Sequence, residues 1–264
     1  MILTAVPDSV LRAANSEVRK VTSLRMNRRL AAVAAGVGLV AFAVLGMVFQ
    51  EADASHKHTF IGAVGWAAVA AAGALLLAVV LAAAFGAVSS GSEYRYGTLA
   101  VNAQFTPDRN LLLGSKLAVA GGFSLAVVLV MEILGGAALA LFGRDRVQLG
   151  GELFAVLGGA ALAAVCWSVI GAALGFILRS PVQAMVAMLG VVIIEPLVWL
   201  TARAVGFAGF ATLLPLSATV GTMTDGSYAK SDFIAPTPAA IAVLILWTAG
   251  AVAAAWWILT TRDL

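Results

Sequence analysis

Seven residues, Glu93-Tyr94-Arg95-Tyr96-Gly97-Thr98-Leu99, place a carboxylate, a guanidinium and two phenols between long runs of Ala, Val, Leu and Gly. An acid and a base two positions apart can pair with each other or with charges on another protein, and tyrosines are rigid amphipathic anchors that dominate protein interfaces. Gly97 permits a sharp change of direction. Two further carboxylates, Glu132 and Glu195, lie inside apolar runs, and Glu195 precedes Pro196, which frees a backbone carbonyl one turn earlier and can kink a helix. A charge at mid-bilayer costs about 2.5–3.5 kcal/mol on insertion scales, so each must face protein or water, or be protonated. These two are intramembrane candidates for ion or proton movement, and equally for fixing helix packing.

Other chemistry finds little support. His56 and His58, with Glu51 and Asp53 nearby, form a loose metal-ligand grouping that a polar loop explains as well, so no metal site is expected. Cys166 has no second cysteine to pair with. A phosphate-binding GxxxxGK[ST] is absent, since Gly114-Ser115-Lys116 puts the lysine in the wrong place, and HExxH, GxSxG and CxxC are absent too. The chain is expected to be no enzyme and to bind no cofactor.

The elements that must position these residues follow from composition. Of 264 residues 62% are hydrophobic and 11% charged, with a mean hydropathy of +1.01, whereas soluble domains are near half apolar and a quarter charged. This implies an all-α polytopic membrane protein in a single membrane domain, residues 1–264. Six runs are long enough to cross about 30 Å of hydrocarbon: roughly 30–50, 60–89, 115–142, 152–178, 182–204 and 238–259. They make up a six-helix membrane domain over 30–260, and about 29 mostly polar residues before the first run make that run a retained span.

Before the first span, Asp8 is placed to cap a helix, and Val10, Ala14, Val18, Val21 and Leu24 recur at spacings of three and four. Residues 1–29 therefore read as a cytoplasmic amphipathic segment lying on the inner leaflet, its cations near anionic lipid headgroups. With the N-terminus inside, Arg12, Arg19, Lys20, Arg25, Arg28, Arg29, Arg95, Arg109, Lys116, Arg179 and Arg262 face the cytoplasm. Lys57, Arg144, Arg146, Arg203 and Lys230 face out, so the charge bias places both termini on the cytoplasmic side, the membrane expected being a bacterial plasma membrane. The basic balance, a net +3, belongs to these flanks and implies no nucleic-acid partner.

In the connection between spans two and three, Ser89, Ser90 and Gly91 weaken the end of span two, Tyr96–Gln104 forms a short helix, and Thr106, Pro107 and Asp108 start the next one. Residues 205–237 form a longer external loop, within which Phe207–Val220 is apolar but too broken to span and is placed to re-enter the outer leaflet. Gly171 and Gly175 give a GxxxG pair in span four.

The connection resembles that of ABC-2 type transporter permeases, particularly the actinobacterial branch. The residues carrying the resemblance are Glu93 to Leu99, then Thr106-Pro107, Arg109 and Lys116, similar to E-(aromatic)-R-x-G-T … T-P-x-R … K. Glu17 to Arg25 resembles the E-x-x-K-x-x-S-x-R segment before the first span, and Arg179-Ser180, Glu195-Pro196-Leu197, Leu214-Pro215 and Arg262-Asp263-Leu264 stand where such permeases carry similar residues. Ala100-Val101-Asn102-Ala103 depart from the Thr- or Arg-rich continuation of the family.

The resemblance implies six helices per subunit, a second permease subunit, identical or related, and separate cytoplasmic ATPases that hold ATP and Mg. It further implies that Glu93, Tyr94, Arg95, Tyr96, Gly97, Thr98 and Leu99 belong to a coupling helix docking on the ATPase. The expected function is export of a hydrophobic or amphipathic compound such as a drug, natural product or lipid from a bacterial cell. An ion-coupled secondary transporter using Glu132 and Glu195 is the alternative. A lipid-modifying enzyme is a third reading, for which the spans supply no nucleophile.

Overall fold

The computed structural model describes residues 7–51, 57–105, 108–143, 150–224 and 234–261. Their regular structure is helical throughout: α1 (Asp8–Ser23), α2 (Arg25–Glu51), α3 (Lys57–Arg95), α4 (Thr98–Phe105), α5 (Arg109–Gly143), α6 (Gly151–Leu178), α7 (Pro181–Ala204), a 3₁₀ turn (Ala208–Leu213), α8 (Pro215–Thr222) and α9 (Thr237–Thr261). Six of these, α2, α3, α5, α6, α7 and α9, are long and apolar enough to cross a membrane. In hydrocarbon each backbone N–H and C=O needs a partner within the segment, which a helix supplies. The chain is a six-span, multi-pass membrane protein.

Several boundaries differ from the sequence reading, each for a local reason. α3 does not weaken at Ser89, Ser90 and Gly91; it continues to Arg95. The Ser89 hydroxyl donates back to the carbonyl of Gly86 at 2.9 Å, which a helix tolerates. Gly91 is small because the α6–α7 corner lies against it: a Cβ there would stand 2.6 Å from Pro181 N. The short helix begins at Thr98, two residues later than expected, because Tyr96 and Gly97 form the turn before it.

The cap of α5 is Asp108, whose Oδ1 accepts from the N–H groups of Asn110 at 2.9 Å and Leu111 at 3.4 Å. Thr106 and Pro107 lie outside the described residues, as does the closing Arg262-Asp263-Leu264. At the start of α1 the capping position is Pro7 rather than Asp8; Asp8 sits in the first turn, where a negative charge suits the helix dipole.

α6 is the most buried span and packs on α3, α5 and α9. Its contact with α3 is backbone to backbone: a Cβ on Gly86 would lie 2.0 Å from Ser168 O, and one on Gly171 would lie 2.1 Å from Ala83 O. Lipid tails are as apolar as Leu, so such close approach, rather than apolar burial, brings spans together. α2 docks on α5 by seating large side chains over glycines, Phe42 over Gly135 and Met131 over Gly38. α7 and α9 are peripheral and present Val186, Ile193, Leu200, Leu246 and Trp257 outward, faces suited to hydrocarbon.

A side chain at the α3–α6 crossing must push two backbones apart. Gly171→Leu is expected to cost about 1–3 kcal/mol, the range for overpacking a filled interior. Gly36→Ala, where a Cβ meets nothing within 4 Å, is expected to change stability by less than about 0.5 kcal/mol. Thermal unfolding in detergent distinguishes the two; equal midpoints would contradict the close α3–α6 contact.

Candidate functional site

At one end of the bundle the last turn of α3, the turn Tyr96-Gly97, helix α4 and the first turns of α5 form a corner, and α1 lies against it. The turn exists because Gly97 adopts φ +67°, a left-handed conformation that L side chains rarely take. Its N–H donates to the carbonyl of Tyr94 at 3.2 Å and closes α3. Leu99 then turns inward against Leu112, Leu113 and Leu117 and anchors the inner face of α4, while Thr98, Ala100, Val101 and Gln104 remain exposed.

Four charges meet beneath this corner. Lys116 Nζ lies 2.6 Å from Glu93 Oε1 and 2.9 Å from Glu17 Oε2, and it donates to the carbonyl of Ser89 at 3.4 Å. Lys20 Nζ reaches Glu17 and, at 3.1 Å, Glu93 Oε1. Asn102 Nδ2 of α4 donates to that same Glu93 oxygen at 3.0 Å. Lys116 and Glu93 are deeply buried, their side chains 5% and 7% exposed, so each carries a large desolvation cost that its partner must offset. A cleft of about 430 Å³, bounded by these charges and by Val21, Leu24, Phe85 and Val101, lies between α1, α3 and α4.

The seven residues singled out by sequence therefore divide. Glu93 does not pair with Arg95, nor does it face outward; it is spent on Lys20, Lys116 and Asn102. Tyr94 is half-buried, its ring edge-on to Phe176 at 6.1 Å with the Arg179 guanidinium 5.6 Å from its centroid. Tyr96 is 72% exposed and stacks with Arg95, whose guanidinium is 5.9 Å from the ring. Arg95, Tyr96, Gly97 and Thr98 thus form the outward tip, and Glu93, Tyr94 and Leu99 the inward root.

The sequence reading missed the joint role of Glu17, Lys20 and Lys116. It read α1 for a lipid-facing stripe and did not identify the side that meets the bundle. Ala13, Glu17 and Val21 are buried, whereas Val18 and Leu24 are exposed, because Glu17 must meet Lys116 and the helix rotates to bring it there. The available signal was an acid at the centre of an otherwise weak apolar stripe.

The two intramembrane carboxylates do not come together with this corner. Glu195 accepts from the N–H groups of Leu216 at 2.8 Å and Ser217 at 2.7 Å and from Trp199 Nε1 at 3.2 Å. It caps the first turn of α8, where Pro215 occupies the first position, so its oxygens meet the otherwise unpaired N–H groups at the start of a helix. Glu195 stands nine residues before the end of α7, about 13 Å of helix rise, which is how far α8 reaches back along that span. Glu132 is buried in α5, and its Oε1 has no hydrogen-bond partner among the described residues.

α8 borders two apolar cavities. One, about 560 Å³, lies between α6, α7 and α9 beside Leu213 and Pro215; the other, about 310 Å³, lies between α3, α6 and α7 beside Leu216 and Thr219. Both are lined by Trp167 and Met188, and Trp167 Nε1 donates to Thr219 Oγ1 at 2.6 Å. Among the described residues no group of three His, Cys, Asp or Glu side chains could hold a metal ion; His56 and Asp53 lie outside those residues. Cys166 is buried.

Fold and site together define an all-helical multi-pass membrane protein with a short helix at one end, tied inward by charge. Comparison with protein-family models and with curated proteins found no match to this chain.

Burial raises the Glu17 pKa, but Lys116 and Lys20 outweigh it and hold the carboxyl below its usual 4.5. Burial lowers the Lys20 pKa, but Glu17 and Glu93 outweigh that and hold it above 10.5. A lowered acid contributes fully above its ordinary value and loses that contribution as pH falls through the lowered one; a raised base loses its contribution as pH rises through the raised one. α1 is therefore expected to stay docked across about pH 6 to 9 and to loosen below 4.5. The mobility of a spin label at exposed Asn15, introduced as Asn15→Cys with Cys166→Ala, reads this directly; loosening with a midpoint above 4.5 would contradict it.

Proposed function

We propose that this chain is the membrane-spanning permease subunit of an ATP-driven ABC exporter in a bacterial plasma membrane, with both termini cytoplasmic. ATP and Mg belong to cytoplasmic ABC ATPase subunits on separate chains, and a second permease subunit, identical or related, completes the path. The observation that carries the reading is α4: a helix of eight residues between two spans, rooted by Glu93, Tyr94 and Leu99 and offering Arg95, Tyr96 and Thr98 outward. No phosphate-binding loop occurs in the sequence, so ATP-driven transport by this chain would draw its energy from a partner through such a contact.

The two apolar cavities favour a hydrophobic or amphipathic cargo, since their walls offer dispersion contacts and few polar partners. The alternative, an ion-coupled carrier using Glu132 and Glu195, is supported by the unpartnered oxygen of Glu132 but weakened by the use of Glu195 as a helix cap. Loss of transport when the proton gradient is collapsed and ATP maintained would favour that carrier.

Because Glu93 is buried in an ion cluster, its removal would disturb folding as well as docking, and Tyr96 is the better probe. Chain purified with its co-purifying ATPase should show ATPase stimulation that Tyr96→Ala weakens about tenfold or more, as expected of an exposed aromatic anchor at an interface, with thermal stability unchanged. Full stimulation by that variant would remove Tyr96 from the contact.

A further inference from the structure

We infer that Lys116 is a positioning residue: its ammonium fastens α1 to the α3–α4 corner, so that α1 and α4 move as one body. The inference rests on the exporter reading for what presses on α4, and on the geometry of the corner for everything else.

Glu93 Oε1 accepts from three elements at once, Lys116 of α5 at 2.6 Å, Asn102 of α4 at 3.0 Å and Lys20 of α1 at 3.1 Å. Its Oε2 is buried and has no hydrogen-bond partner among the described residues. Donors from three helices therefore converge on one oxygen of α3. Any shift of α4 that carries Asn102 with it rearranges the donors around the atom that also holds α1.

Charge rather than apolar burial decides where α1 sits. Its buried side chains are Ala13, Glu17 and Val21, while Leu11 and Val18 face away from the bundle. Lys116 supplies one ammonium to Glu17 and another contact to Glu93; without it two carboxylates would share Lys20, whose side chain is 40% exposed, and would repel each other.

The test uses full-length chain in nanodiscs with spin labels at Asn15→Cys on α1 and Gln104→Cys on α4, both exposed positions, in a Cys166→Ala background. Wild-type contacts should give one narrow interlabel distance. Lys116→Met and Glu17→Gln should each broaden it and lower stimulation of the co-purified ATPase about 2- to 30-fold, the range over which intermediate groups alter coupling. Lys116→Arg, which keeps the charge, should restore both readouts.

An unchanged distance in Lys116→Met and Glu17→Gln overturns the inference, and so does a broadened distance with full stimulation. Should Lys116→Met fail to accumulate, Glu17→Gln decides, since it alters only the helix outside the spans. A wild-type chain that stimulates no ATPase sinks the exporter reading instead, and the distance measurement alone then decides whether Lys116 fastens α1 to α4.

Discussion

Lys116 Nζ stands between carboxylates from two other helices, Glu93 of α3 and Glu17 of α1, in a place where its side chain is nearly inaccessible to solvent. An ammonium and a carboxylate so placed are costly to bring from water, and removing one partner from a buried pair typically costs about 3–5 kcal/mol. The corner is consequently constrained in both directions. α3 must run on to residue 93 to deliver its carboxylate, α5 must begin early enough to bring Lys116 alongside, and α1 must rotate until Glu17 faces inward. What is left of the connection, Tyr96 to Gln104, is pushed outward as a turn and a short helix.

The rest of the bundle holds that corner in place through backbone proximity. α3 and α6 touch main chain to main chain at Gly86 and Gly171, and the α6–α7 corner at Ser180-Pro181 rests on Gly91 just before Glu93. Arg179 adopts φ 54° to end α6 and sets its guanidinium over Tyr94. At the start of α5, Arg109 donates to the carbonyl of Leu259 at 2.6 Å, so the last turn of α9 is tied to the same end. Further along the bundle Glu195 joins α7 to α8 by accepting two backbone N–H groups. Leaving such donors unpaired in a dry interior costs about 1–3 kcal/mol each, which accounts for a carboxylate in an otherwise apolar span.

Much of the fold was legible because hydropathy and length are additive along the chain. The six spans, the turn at Gly97 and the short helix after it all follow from local residue types. What stayed hidden depended on partners distant in sequence. Ser90 and Gly91 read as breakers, yet their small size serves contacts with Gly175 and with Ser180-Pro181, some 85–90 positions later. Glu93 and Arg95 read as partners for each other or for charges on another protein, but burial gives Glu93 to Lys20 and Lys116 instead. Glu17 hid within an apolar stripe because periodicity does not reveal which face a countercharge will claim. Asn102, which departs from the family-like pattern, takes up its own role by bonding to Glu93.

One buried ion cluster makes α1 and the α3–α4 corner a single body. Hydrogen–deuterium exchange of the full-length chain in nanodiscs at neutral pH measures this most directly. Amides of Asp8–Ser23 and Thr98–Phe105 should open together, with matching protection, because the same contacts close both. Free exchange across Asp8–Ser23 while Thr98–Phe105 stays protected would show that α1 is not held by the cluster and would contradict the account.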